Sequence, residues 1–376
     1  MSIKPIKTSI DSFIFVEYAG FKLKDKIACF DIDQTIIITK SKKKFPLDKN
    51  DWILLFKNKT KDVLNTISKN GFSIIFISNQ AGLKTSLQIT DWIEKITNVV
   101  NHIQIPIRVY ASIAKNEFRK PLPSFWHKII SDAKNENITL KLDECYYCGD
   151  AAGRAGDHAG TDYKFALNAD LKFYTPEHLF LDDDTNKPVL DYISFPKRIN
   201  YKFDKNIVEG DKIMILMVGY PASGKSSFVS NYLEPCGFVR INQDMLKTKK
   251  KCLDKAVECM NNESNFVVDN LNCSKSIRND YIKLAKKNNY IIKAIVMTTT
   301  YDVAFHNNIY RSIMSTDGLT HPIPSIVYNK FKKEYQVPEK DEGIQDIIFM
   351  DFNPPSAEGT ESTSLLIDKK YLMYLS

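Results

Sequence analysis

Residues 27–35 read Ile-Ala-Cys-Phe-Asp31-Ile-Asp33-Gln-Thr35, and residues 213–226 read Ile-Met-Ile-Leu-Met-Val-Gly219-Tyr-Pro-Ala-Ser-Gly224-Lys225-Ser226. Each is a short apolar run of strand character that stops at a cluster of reactive residues. The first stops at two carboxylates. The second stops at a complete GxxxxGK(S/T) loop, whose glycines let backbone N–H groups approach phosphate oxygens. In an open α/β sheet, ligands bind beyond the carboxyl ends of strands. The chain therefore reads as two phosphate-handling sites, each at the end of its own sheet.

Outward from these two stretches, strand-like and helix-like segments alternate. In the first half, Lys57–Lys69, Thr90–Val100 and Pro123–Asn135 are helix-like. Ile27–Phe30, Phe72–Ser78, Ile107–Ala111, Cys145–Cys148 and a short segment from Phe173 read as strands. In the second half, strands are expected at 212–218, 266–269 and 291–297. Helices are expected from Ser226, around 250–261, at 275–288 and at 301–314. Apolar runs without strict alternation mark strands covered on both faces. The fold class is therefore α/β, with two doubly wound parallel-sheet domains. The polar stretch 181–206 reads as the connection between them. The expected organisation is a first domain over 1–195, a second over 196–350 and a flexible C-terminal tail over 351–376.

Composition sets wider limits. A chain of 376 residues suits two domains with separate cores, and 43% hydrophobic content is ordinary for a globular protein. The formal charge of +7 is compatible with a polyanionic partner, and solvated loop lysines account for it equally well. Seven scattered cysteines do not form a disulfide framework and suit a reducing compartment. Cys145-Tyr-Tyr-Cys148 has CxxC spacing, but without a second pair it reads as a buried strand. No apolar run approaches the ~20 residues of a membrane span, and no leader pattern opens the chain. A soluble intracellular protein is expected.

Asp31 and Asp33 sit two apart at a strand end. The chain must turn out of the strand for both side chains to converge. Paired acids there can hold Mg2+, with one attacking phosphorus while its neighbour handles protons. Ser78-Asn79-Gln80 closes a second strand with a hydroxyl. Arg119-Lys120-Pro121 brings fixed positive charge. Gly149-Asp150-Ala-Ala-Gly153-Arg154 brings another carboxylate for a metal. In this order the four elements match haloacid dehalogenase-like phosphatases. With Phe45–Trp52 and Asp162-Tyr-Lys-Phe-Ala-Leu-Asn168, they resemble the phosphatase domain of the polynucleotide kinase 3′-phosphatase family, DNA end-healing enzymes. The resemblance makes Asp31 the nucleophile, Asp33 the acid–base, and Ser78 and Lys120 the phosphoryl-binding pair. It puts Mg2+ on Asp31, the Asp33 carbonyl and Asp150. Gln34 departs from the pattern, since the family usually carries glycine there.

In the second half, Gly219, Ser223, Gly224, Lys225, Ser226 and Ser227 form the expected cradle for ATP. Lys225 sits on the β- and γ-phosphates, and Ser226 on Mg2+. Asp244, beside a short apolar segment, can deprotonate a hydroxyl. Asp269 ends a strand at the same sheet edge and can contact metal or water. His306, Asn307 and Arg311 on one helix could close over the γ-phosphate. These features resemble the kinase domain of the same family. The resemblance makes Asp244 the general base for a 5′-hydroxyl and Arg311 the lid arginine, with Phe305 and Ile309 where arginine is common. It covers roughly residues 20–345, in the phosphatase-then-kinase order of the animal enzymes. Only about two dozen residues precede the first expected strand, so no forkhead-associated module is expected.

The resemblance implies a bifunctional enzyme that removes a 3′-phosphate and adds a 5′-phosphate, using Mg2+ and ATP. It implies nucleic-acid ends as substrate (DNA preferred, RNA possible), a ligase pathway as partner, no membrane and a monomer. Two other readings are weighed against it. One is a small-molecule kinase–phosphatase fusion, which the paired resemblance disfavours. The other is a non-catalytic nucleic-acid or scaffold protein that keeps both folds, which the presence of all the expected reactive residues disfavours.

Overall fold

The computed structural model describes residues 2–190, 193–199, 203–315, 322–356 and 367–375. They form two compact units, Met1–Tyr192 with Met373–Ser376, and Ile193–Leu372.

The first unit is built on a seven-stranded sheet in the order β1-β2-β7-β6-β3-β8-β9. Its strands are β1 (Pro5–Ile10), β2 (Phe13–Tyr18), β3 (Lys26–Phe30), β6 (Phe72–Asn79), β7 (Arg108–Ser112), β8 (Tyr146–Cys148) and β9 (Lys172–Tyr174). A two-stranded ribbon of β4 (Ile37–Ile38) and β5 (Ile53–Leu54) lies apart from it. The helices are α1 (Asn58–Lys69), α2 (Ser86–Ile103), α3 (Ser124–Asn135), α4 (Thr161–Asn168) and α5 (Pro176–Leu181). Successive residues of the central strands enter different cores. Ala28, Phe30, Ile74, Phe76 and Val109 belong to one cluster, and Ile27, Cys29, Ile75, Ile77 and Tyr110 to the other. This is the period-two signature of a sheet covered on both faces.

Five of the strands are parallel, as expected, but the sheet is mixed. β2 pairs antiparallel with both β7 and β1. Neither β1 nor β2 is among the strands expected from sequence. Phe13–Tyr18 is a β-branched and aromatic run whose only signal is local propensity. Its partner β1 is exposed along its whole length, so hydrophobicity does not mark it.

The second unit has a fully parallel five-stranded sheet in the order β11-β12-β10-β13-β14. The strands are β10 (Ile213–Val218), β11 (Val239–Ile241), β12 (Phe266–Val268), β13 (Ile291–Met297) and β14 (Asp346–Met350). Its helices are α6 (Lys225–Phe228), α7 (Gln243–Leu246), α8 (Lys249–Asn261), α9 (Lys275–Lys287), α10 (Tyr301–Met314) and α11 (Ser325–Glu334). β10 alternates as the strands of the first unit do: Met214 and Leu216 face one cluster, and Ile213, Ile215 and Met217 the other.

Of the C-terminal stretch 351–376, residues 357–366 and 376 lie outside the described residues, and the others make specific contacts. Tyr371 is fully buried, and Ser356 and Ile367 form an antiparallel bridge. Asn168 Nδ2 donates to Tyr374 O at 2.7 Å, and Tyr374 N returns a bond to Asn168 Oδ1 at 2.9 Å. A run rich in Pro, Ser, Glu and Gly hides such anchors, because they depend on a few isolated aromatics.

Behind the second sheet edge, one buried ion pair fixes the chain that leaves β12. Arg278, fully buried on α9, donates from Nε and Nη2 to Glu342 at 2.8 and 2.6 Å. Its Nη1 donates to Asn272 O at 3.1 Å and Gln336 O at 2.9 Å. Removing one partner of such a pair leaves a buried charge and two carbonyls unsatisfied. Arg278→Ala is expected to destabilise the second unit by about 3–5 kcal/mol in denaturant unfolding. A loss below about 1 kcal/mol would show that the pair does not brace this edge.

Candidate active sites

In both units the reactive side chains gather at the carboxyl ends of the parallel strands. In the first unit the centre is Lys120, which is almost fully buried. Its Nζ lies 2.6 Å from Asp31 Oδ1, 2.7 Å from Asp162 Oδ1, 2.7 Å from the Tyr147 hydroxyl and 3.0 Å from Ile77 O. Three N–H groups thus serve four oxygens, and the Tyr147 hydroxyl itself reaches Asp162 at 3.0 Å. Burial alone would lower the Lys120 pKa, but Asp162 and Asp31 outweigh it, and the net shift is upward. The ammonium is held charged.

Asp31 shows the converse. Burial pushes its pKa well up, Lys120 opposes this, and Asp162, Asp150 and Asp33 push it up again. Asp150 is pushed up to about 7, first by burial and then by Asp162. Oxygens of Asp31, Asp150 and Asp162 all lie within 4.8 Å of one another. A cluster of hard oxygen donors with an excess of buried negative charge fits a divalent cation such as Mg2+. Asp162 already accepts from Lys120 and Tyr147 on one oxygen and from Ala151 N (3.0 Å) on the other. Both of its oxygens are thus engaged, one of them by Lys120, and Asp31 and Asp150 are the members of the cluster that could more readily hold the cation.

Asp33 is carried away from this cluster. Gln34 takes φ of 63°, the left-handed region that favours glycine, and the chain turns sharply out of β3. The chain does turn out of the strand, but the Asp33 side chain does not converge on the Asp31 cluster as the spacing led one to expect. The Asp33 carboxylate is exposed and accepts from Gln80 Nε2 at 2.7 Å, with Lys95 Nζ at 3.6 Å. The same Gln80 nitrogen donates to Ser78 Oγ at 2.9 Å. One amide thus ties the exposed carboxylate to the buried hydroxyl. Thr35, fully buried, accepts from Asp150 N at 3.0 Å and pins that loop to the β3 turn. Arg154 is absorbed structurally, bonding Asp157, Glu177 and the Asp150 carbonyl.

In the second unit, Lys225 Nζ folds back onto its own loop, donating to Gly219 O at 2.9 Å, to Tyr220 O and to Ser223 Oγ at 3.4 Å. Burial lowers its pKa to about 8. Asp269 and Asp244 oppose that fall, and Arg311 adds to it. Ser226 Oγ donates to Asp269 Oδ2 at 2.8 Å. Arg240 of β11 grips the same oxygen through Nε at 2.9 Å and Nη2 at 2.6 Å. Asp269 Oδ1 is buried without a hydrogen-bond partner among the described residues. An orphaned buried carboxylate oxygen beside Ser226 fits a cation or its water. Asn242 accepts from Asp244 N at 2.8 Å and Met245 N at 3.3 Å, which starts α7 and lifts Asp244 onto an exposed position. A cavity of about 250 Å³ opens beside Gly224–Ser227 and is lined also by Asn307 and Arg311.

Residues 26–180 match the family described as Polynucleotide kinase 3 phosphatase, and residues 214–338 match a family described as AAA domain. A bifunctional polynucleotide phosphatase/kinase of Schizosaccharomyces pombe is 34% identical over 347 residues, covering 90% of this chain and 82% of the relative. A candidate enzyme of the same description from Acanthamoeba polyphaga mimivirus is 32% identical over 372 residues, covering 87% and 85%. A polynucleotide 3′-phosphatase of Saccharomyces cerevisiae matches 41% of this chain and 87% of its own length at 29% identity.

The chain belongs to the bifunctional polynucleotide phosphatase/kinase family.

Against that family pattern, the structure gathers Asp31, Lys120 and Asp150, with Ser78 and Asp33 joined to each other through Gln80. It gathers Lys225, Ser226 and Asp269 in the second unit, with Arg311 on the cavity wall. His306 does not join the lid. Its ring is buried, Nε2 lies 2.6 Å from Tyr371 O, and burial pushes its pKa down to about 4. Asn307 does line the cavity, and it donates to Ala222 O in the loop at 2.9 Å. Sequence reasoning missed Asp162, Tyr147, Thr35 and Arg240. Asp162 stood inside a quoted motif, but only the fold brings α4 under Lys120.

Gly149 makes that approach possible. A Cβ there would sit 2.4 Å from Asp162 Cγ and 2.6 Å from its Cβ. Gly149→Ala must therefore displace the carboxylate that orients Lys120. Phosphomonoester hydrolysis is expected to fall by about 10²-fold, the scale of an ångström-sized misplacement, with nucleotide binding by the second unit unchanged. Wild-type hydrolysis by this variant would mean that Asp162 is not needed to hold Lys120.

Proposed function

We propose that this chain heals polynucleotide ends. Its first unit removes a 3′-phosphate through attack by Asp31, and its second transfers the γ-phosphoryl of ATP to a 5′-hydroxyl. The observation that carries the reading is that each strand-end site holds a complete reactive set: Asp31 with Lys120 and Asp33, and Lys225 with Ser226, Asp269 and Asp244. Family membership supports both activities on one chain.

In the first unit, Asp31 must be ionised to attack phosphorus. Lys120 draws its charge out, and Mg2+ held by Asp31 and Asp150 would offset the repulsion between carboxylate and phosphate. Attack forms the Asp31–phosphorus bond and expels the sugar oxygen, which takes its proton from Asp33. The same Asp33 then accepts a proton from water, whose oxygen attacks phosphorus and releases Asp31. Exposure suits Asp33 to that exchange, and Gln80 keeps it within reach. Ser78 and Lys120 present a hydroxyl and an ammonium to the phosphoryl oxygens.

In the second unit, the loop of Gly219–Ser226 holds the triphosphate, and Lys225 swings from its own carbonyls to the β- and γ-phosphates. Mg2+ held by Ser226 and Asp269 would neutralise phosphate charge. Asp244 takes the proton of the attacking 5′-hydroxyl, and Arg311 meets the charge on the γ-phosphoryl group. The products carry 3′-hydroxyl and 5′-phosphate, the pair that a ligase consumes, which supports a ligase as the next enzyme. DNA is the preferred substrate and RNA the alternative. Each site is built from one unit of one chain, which supports a monomer. Seven unpaired thiols support a reducing compartment.

The two reactions should separate. Asp31→Asn is expected to abolish removal of a 3′-phosphate from an oligonucleotide while leaving 5′-phosphorylation within a few-fold, and Lys225→Ala to do the reverse. Loss of both activities in either folded variant would defeat the two-site reading, and inactivity on oligonucleotides would leave the small-molecule fusion.

Asp244→Asn keeps shape and hydrogen bonding but cannot accept a proton. Single-turnover phosphorylation is expected to slow by about 10²-fold or more, with ATP affinity little changed. A variant that chiefly lost ATP binding would assign Asp244 to the donor instead.

A further inference from the structure

The loop of Gly219–Ser226 accounts for the phosphates of a donor nucleotide but not for its base. The cavity beside Gly224–Ser227 supplies the missing surface. Phe352, Pro355, Tyr371 and Tyr310 line it together with the loop. Phe352 follows β14 by two residues, at the carboxyl edge of the sheet that holds the loop. A Cβ at Gly224 would lie only 3.1 Å from Phe352 Cδ2, so the ring stands directly against the loop.

This wall is built, not incidental. Asp368 N donates to Pro355 O at 3.1 Å, and the Ser356–Ile367 bridge joins the two C-terminal pieces. Tyr310 of α10 donates to Asp368 Oδ2 at 2.9 Å. The Tyr371 hydroxyl donates to Asn307 Oδ1 at 2.6 Å, and Asn307 Nδ2 donates to Ala222 O within the loop. Asn353 exchanges bonds with the Ile199 backbone at 3.0 and 2.9 Å. Tyr371 thus touches the cavity with its ring and the loop, through Asn307, with its hydroxyl. The Phe352 and Tyr371 centroids are 6.2 Å apart.

We infer that Phe352 and Tyr371 form the nucleoside wall of the donor pocket, with Phe352 offering a flat apolar face to the base and Tyr371 positioning the loop through Asn307. The inference rests on the reading of Gly219–Ser226 as the donor loop. A planar, polarisable base gains from an aromatic face, and that gain is absent for a bare phosphate chain.

The test compares ATP with inorganic tripolyphosphate, each titrated in the presence of Mg2+ against the full chain. Phe352→Ala is expected to weaken ATP by about tenfold and tripolyphosphate by less than about twofold. At saturating ATP, kcat should stay within about threefold, so the loss appears in KM. Phe352→Tyr should keep ATP affinity within about twofold. Tyr371→Phe keeps the ring and loses the tie to Asn307, so it should weaken both ligands alike. An unchanged ratio of ATP to tripolyphosphate affinity in Phe352→Ala overturns the wall. If that variant loses both ligands by misfolding, Phe352→Leu decides by the same ratio. Wild-type protein that binds neither ligand overturns the donor-loop reading itself, and the wall with it.

Discussion

A carboxylate placed at the buried end of a parallel strand has to be compensated, and both units are organised around that requirement. In the first, Asp31 ends β3 and Lys120 reaches it from the loop after β7. In the second, Asp269 ends β12 and Arg240 reaches it from β11. An uncompensated charge in such a place would neutralise itself by taking up a proton. Lys120 counters that cost at Asp31, and Arg240 meets Asp269 with two hydrogen bonds to one carboxylate oxygen.

The two compensations differ in a way that suits their tasks. Lys120 is shared among Asp31, Asp162 and Tyr147, a compact charge meeting several oxygens from different elements. Arg240 commits two nitrogens to a single oxygen and leaves Asp269 Oδ1 unpartnered among the described residues. The planar guanidinium fixes the carboxylate's orientation, whereas the ammonium is a compact charge that several oxygens can share. Lys225, by contrast, is held by main-chain carbonyls and a hydroxyl, so a phosphate can take it without breaking an ion pair.

Anchors from late in the chain complete both units. Tyr374 bonds Asn168, which also donates to Pro121 O beside Lys120 at 2.9 Å. Tyr371 bonds Asn307, which donates to the loop carbonyl of Ala222. Composition points to a flexible tail because its first half, 351–364, is rich in Pro, Ser, Thr, Glu and Gly. A few aromatics in a short segment carry too little pattern to mark an element, yet each needs only one receptive pocket to hold its segment.

The sequence by itself determined the α/β class, the parallel strands at the centre of each unit and the motifs at their carboxyl ends. Apolar runs ending in DxD or GxxxxGK(S/T) leave few alternatives, since local composition sets the strand and the loop residues set the ligand class. Only the tertiary structure decided which neighbours those groups would have. Asp162 under Lys120, Thr35 on Asp150, Arg240 on Asp269 and His306 turned inward all depend on elements distant in sequence being packed together. The antiparallel hairpin of Pro5–Ile10 and Phe13–Tyr18 belongs to the same class, because an edge strand with every residue exposed is specified by the partner it pairs with rather than by its own pattern.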